Sequence, residues 1–76
     1  MSKTYLTKEG FGKIQRELEI LKSALPEMEN TINTLTGYGF SSEDEALKET
    51  MEQLDFIAKR IELLTKMLSR AKLIGD

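Results

Sequence analysis

The sequence predicts an all-α fold, an antiparallel two-helix hairpin wound as an intramolecular coiled coil. Three observations predict it. Two long segments place apolar residues at gaps of mostly three and four, the spacing of a heptad seam. Between them, near the middle of the chain, lies a short stretch with two glycines, Gly37-Tyr38-Gly39, which supplies the backbone freedom a tight reversal needs. Serines and acids follow directly (Ser41-Ser42-Glu43-Asp44-Glu45) and read as the start of a second helix.

Seventy-six residues allow one small domain, near the size where a single core is only just sufficient. Helix 1 is expected over about 8–36, a glycine-containing tip over 37–41 and helix 2 over about 42–73. With neither cysteine nor histidine, disulfides, thiolate metal sites and the commonest general base are excluded. An independent enzyme therefore has little to be built from. No apolar run approaches the roughly 20 residues of a membrane span, and no signal peptide is visible. A soluble cytoplasmic protein without a membrane partner is the expectation.

In chain order, Thr4-Tyr5-Leu6 reads as extended. Thr7 is the expected N-cap of helix 1, with Leu6 at N′ and Phe11 at N4 forming a hydrophobic staple. Gly10 and Gly12 cost helix propensity and mark candidate close approaches of the backbone. The first seam runs Phe11, Ile14, Leu18, Leu21, Leu25, Met28, Ile32 and Leu35, in phase across Pro26. At the far side of the tip, Ser42 with Glu45 three residues on reads as a capping box opening helix 2. The return seam is expected to use Leu47, Met51, Leu54, Ala58, Ile61, Leu64, Leu68 and Ala71. At 1.5 Å per residue each helix would be roughly 45 Å long.

Charge is segregated. Between Glu27 and Asp55 stand eight acids and one base, Lys48, whereas the remainder carries ten bases and five acids. Folding back at the glycines would gather acids at the tip and bases at the open end, a dipole able to orient a charged partner. Tyr5, Ile20, Phe56, Ile57, Leu63, Met67, Leu73 and Ile74 fall outside the seam. They either wrap the N-terminal arm or form a partner surface, with self-association through the basic end as one form of it.

The pattern Tyr5-Leu6-Thr7-x-x-Gly10-Phe11, then Leu18-Glu19 and Leu21, with Arg60-Ile61, Leu64, Leu68-Ser69, Ala71 and Ile74 in the return helix, resembles the bacterial Gre transcript-cleavage factors, GreA and GreB. The resemblance covers essentially the whole chain but only the N-terminal half of a usual family member. It implies a hairpin that enters the secondary channel of bacterial RNA polymerase, where tip acids help hold the second catalytic Mg²⁺ of the polymerase. Such a factor stimulates the polymerase's own RNA cleavage and binds no cofactor alone. The chemistry is that of a hard cation with oxygen ligands in a two-metal site.

The family tip reads approximately Gly-Asp-Leu-Ser-Glu-Asn. Counted back from Arg60-Ile61 without a gap, Gly39 falls on its glycine, Ser42 on its serine and Glu43 on its glutamate, while Phe40 replaces the aspartate. The resemblance thus implies Glu43 as the metal-directed acid, with Asp44, Glu45, Ser42 and Phe40 completing the tip, and weak or no stimulation of cleavage. Acids in a first helical turn are also favoured by the macrodipole alone. Lys13, Arg16, Lys59 and Arg60 are the candidate contacts to nascent RNA or DNA, or simply a solvated face. The reading from another class is a small helical-hairpin adaptor that self-associates.

Overall fold

The computed structural model describes residues 3–75. It is a hairpin with body dimensions 55 × 22 × 14 Å, made of β1 (Thr4–Leu6), α1 (Lys8–Gly37), α2 (Glu45–Ser69) and β2 (Ala71–Leu73). The helices pack antiparallel, as the short connection between Gly37 and Glu45 requires. The strands pair in parallel at the open end, Thr4 with Ala71, Tyr5 with Lys72 and Leu6 with Leu73. Among the described residues, no helix is long and apolar enough to cross a membrane.

Thr7 caps α1 as its sequence position predicts: its Oγ1 accepts the Gly10 N–H at 3.0 Å. A Cβ on Gly10 would stand 3.3 Å from that oxygen and 3.8 Å from the Leu6 side chain, so this glycine does mark a close approach. The helix then runs unbroken through Pro26 to Gly37. Proline removes one backbone donor there, and the exposure of this turn leaves the freed carbonyl to solvent. All eight predicted seam residues of α1 are half-buried.

Helix 2 departs from the sequence reading in three respects. It begins at Glu45 with Asp44 as N-cap, not at Ser42, and no side chain caps it. The Ser42–Glu45 capping box does not form because Ser41 and Asp44 bond to each other and hold Ser42 outside the helix. It ends at Ser69, four residues short of the expected 73. Ala71-Lys72-Leu73 has ordinary helix propensity, but extending it satisfies the backbone of β1, whose Thr4 N–H donates to Arg70 O at 3.1 Å and whose Leu6 O accepts from Ile74 N at 2.9 Å. Tertiary pairing outweighs local preference here.

The third departure is the phase of the return seam. Leu47, Thr50, Leu54, Ile57, Ile61, Leu64 and Leu68 face inward, while Met51 and Ala58 are exposed. The gaps now alternate three and four without irregularity, and Ile57 joins the core. Leu64 at 1 % exposure and Leu47 at 4 % are the two fully buried side chains among the described residues. One sits toward the strand pair and the other beside the tip, so the seam is sealed at both ends.

Candidate functional site

The tip is built from two consecutive backbone devices. The first closes α1. Tyr38 is the C-cap, Gly39 takes φ +97°, and its N–H donates to Thr36 O at 3.0 Å while Phe40 N–H donates to Leu35 O at 3.0 Å. Those two bonds define a Schellman motif, which needs a left-handed residue and commonly packs the following apolar side chain on the last turn. Gly39 is the left-handed residue; Gly37, the other expected turn glycine, is simply the last residue of α1. Phe40 occupies the apolar position. It is 38 % exposed against 78 % for Tyr38.

The second device opens α2. Asp44 Oδ2 accepts the Ser41 N–H at 2.7 Å, with the Ser41 hydroxyl at 3.4 Å, and Asp44 N–H returns a bond to Ser41 O at 3.0 Å. Ser41 Oγ in turn accepts the Glu43 N–H at 3.3 Å. One carboxylate oxygen of Asp44 is therefore spent on the turn. Ser42, Glu43 and Glu45 are exposed, and Glu43 and Glu45 enter no salt bridge among the described residues.

A hard divalent cation takes about six oxygen ligands. Among the described residues no three acids converge to hold one. Phe40 offers no oxygen and Asp44 is engaged by Ser41. The tip does not fit a metal site of its own. Glu43 stands beside Asp44 as an exposed carboxylate without a salt bridge among the described residues.

Two of the four predicted basic contacts have acidic partners within the chain. Arg60 reaches across to α1, Nε to Glu17 Oε2 at 3.0 Å and Nη2 to Glu17 Oε1 at 3.4 Å. The hydrogen bond, then the charge of Glu17, hold the guanidinium above its ordinary pKa. Lys59 pairs with Asp55 one turn away at 3.0 Å. Lys13 and Arg16 remain exposed on α1, Arg16 with a guanidinium nitrogen lying over Gly12. The Glu17–Arg60 bond escaped the sequence reading, although each residue immediately precedes a seam residue, Leu18 and Ile61. In antiparallel coiled coils such flanking positions face one another.

The family model described as transcription elongation factor, N-terminal (GreA/GreB), matches residues 4–73. The chain belongs to this family. GreA of Staphylococcus aureus strain JH9 is 35 % identical over 72 residues, spanning 93 % of this chain and 46 % of that protein; GreA of strain Newman matches to the same extent. The solved structure of the transcription factor Gfh1 superposes with a TM-score of 0.90 at 26 % identity, over 97 % of this chain and 47 % of that one. This Gre-family hairpin thus spans about half the length of the curated relatives it matches. The matched segment runs from β1 to β2, so both the strand pair and the tip lie within the family's N-terminal unit.

Proposed function

We propose that this Gre-family hairpin acts in the cytoplasm on bacterial RNA polymerase during elongation, entering the secondary channel tip first. The observation that carries the reading is the shape: a 55 Å body with both strands at one end and the free acid Glu43 at the other. A packed two-helix rod delivers a side chain over such a distance with a precision that a loop of equal length lacks. In this reading the polymerase holds the Mg²⁺ and performs the hydrolysis, and the hairpin is not an enzyme.

Stimulation of cleavage is weak or absent. Phe40 stands where the resemblance expects an acid, and a phenyl ring offers no oxygen to a cation. Asp44 is held by Ser41 and does not stand in for the lost carboxylate. Tyr38, exposed at the tip, is placed to stack on a nascent RNA base, and Lys13 and Arg16 are the free cations for a phosphate backbone.

The test is transcript cleavage in backtracked elongation complexes, with the chain titrated against a cleavage-competent Gre factor. Suppression of the competitor without cleavage is the expected result. Cleavage by this chain alone would show that Glu43 suffices. Neither effect, together with failure to co-purify with the polymerase core, would leave the adaptor reading in its place.

A further inference from the structure

The β1–β2 pair leaves one backbone edge open. In a parallel ladder, alternate residues of each strand turn their N–H and C=O toward the neighbour. The register, with Thr4 N–H donating to Arg70 O and Ile74 N–H to Leu6 O, assigns the inward groups to Thr4 and Leu6 of β1 and to Lys72 of β2. The N–H and C=O of Ala71 and Leu73 therefore point away from β1, and none of them enters a turn, cap or loop bond among the described residues. On its own outer edge β1 offers only the two groups of Tyr5. Two donors and two acceptors in alternation along β2 form a template for a further strand.

The two faces of the pair define what that strand carries. Thr4, Leu6 and Ala71 are half-buried on the helix side, with Leu6 3.8 Å from a Cβ placed on Gly10. Leu73 is in register with Leu6 on that same face. It is nevertheless 54 % exposed, because no neighbour lies beyond β2. The other face carries Tyr5 and Lys72 in register, with Ile74 two residues beyond Lys72 and Lys3 two before Tyr5, all exposed. Lys3 and Lys72 form no salt bridge among the described residues. Side chains of neighbouring strands pair face by face. A strand laid along β2 would thus set an apolar residue beside Leu73 and, one position along, an acid beside Lys72.

We propose that the outer edge of β2 binds an extended segment of a partner protein in which acidic and apolar residues alternate, adding it as a third strand. A nucleic-acid backbone fits this edge poorly. Its phosphates accept hydrogen bonds and donate none, which leaves the Ala71 and Leu73 carbonyls unmet. A second copy of β2 fits poorly as well. The antiparallel register that engages all four groups sets Lys72 opposite its own counterpart, and like charges directly opposite are destabilising. The proposal needs only the strand pair and is independent of where the tip goes.

Titration of the full chain with a short, end-capped peptide of alternating glutamate and valine tests it, read by amide shifts and hydrogen exchange. The peptide should slow exchange at the Ala71 and Leu73 amides. Polyglutamate of equal length and a single-stranded oligonucleotide should not. Leu73→Pro removes an outward N–H without touching the β1–β2 ladder, a position where an edge strand tolerates proline. It should weaken peptide binding by about tenfold or more, and Leu73→Ala, which keeps the N–H, by less. Lys72→Glu should turn the preference to a lysine–valine peptide, while Lys22→Glu, exposed in the middle of α1, should leave binding unchanged. Absence of protection at Ala71 and Leu73 at every peptide concentration overturns the proposal, as does unchanged binding by Leu73→Pro. Protection by the oligonucleotide, or by raising the concentration of the chain alone, overturns it in favour of a nucleic acid or a second copy. Should Leu73→Pro fail to fold, judged by helical circular dichroism, the Lys72→Glu exchange of preference decides the matter.

Discussion

Arg60 and Glu17 are 43 residues apart in sequence and joined by two parallel hydrogen bonds in the fold. Both side chains are about two-fifths exposed, at 41 % and 42 %, so water screens the charge and the geometry matters more than the attraction. Bidentate contact fixes the rotation and register of one helix against the other. Arg60→Lys, which keeps the charge and loses the fork, should lower the melting temperature modestly, as should Glu17→Gln. Exchanging the two residues (Glu17→Arg with Arg60→Glu) should recover most of the loss. Strict additivity of the single changes would show that the bond does not couple the helices. A base whose folded pKa is raised stabilises below its unfolded pKa and loses that contribution as pH rises through the folded value. For arginine both lie far into the alkaline range, so the Arg60→Lys difference should be flat from neutral to mildly alkaline pH.

Leu64 is the most deeply buried side chain and carries the clearest stability prediction. Leu64→Ala should cost about 2 to 5 kcal/mol, a large fraction of what so small a domain possesses. Ile57→Ala should cost more than Met51→Ala, because Ile57 is in the seam and Met51 is outside it. Urea denaturation gives both comparisons, and equal costs at positions 57 and 51 would refute the observed phase of the return seam.

The two early glycines of α1 should respond oppositely to alanine. At Gly12 a Cβ meets only the far end of the Arg16 side chain, at 3.4 Å, so Gly12→Ala should stabilise by roughly 0.5 to 1 kcal/mol through helix propensity. At Gly10 the new methyl presses on Thr7 Oγ1 and disturbs the cap, and the gain should be cancelled. Thermal unfolding of the two variants side by side checks this.

At the tip, Phe40→Asp separates structure from chemistry. Removing the ring from the end of the Schellman motif should loosen the last turn of α1, read as faster amide exchange at Gly39 and Phe40. If the tip reaches a polymerase-held metal, the same change should raise Mg²⁺-dependent cleavage in backtracked complexes. Unchanged cleavage at saturating hairpin would remove the tip from that position.

What was legible in the sequence was local or periodic. The Thr7 cap and the α1 seam follow from spacings within a few turns, and the structure keeps them. The return seam was read through Met51 and Ala58, the apolar residues beside Leu47 and Leu54; the structure turns Thr50 and Ile57 inward instead, because only they keep the alternation of three and four unbroken. Ser42 and Asp44 are both good N-caps, and the choice between them was made by Ser41, whose N–H claims the Asp44 carboxylate. β2 was illegible for a different reason. Nothing in Ala71-Lys72-Leu73 is strand-like except the presence of Thr4-Tyr5-Leu6 beside it, a partner at the opposite end of the chain.

That pairing also decides how the hairpin would respond to a pull. Tension applied before Thr4 and after Leu73 draws two parallel strands past each other along their length. The evenly spaced bonds of a parallel ladder are then loaded together, in shear, and must yield as a set. Without the strands the same tension would reach the open end of the helix pair and peel it apart one turn at a time. Three paired residues thus act as a mechanical clasp: the rod resists until the clasp slips, and its helices then separate with little further resistance.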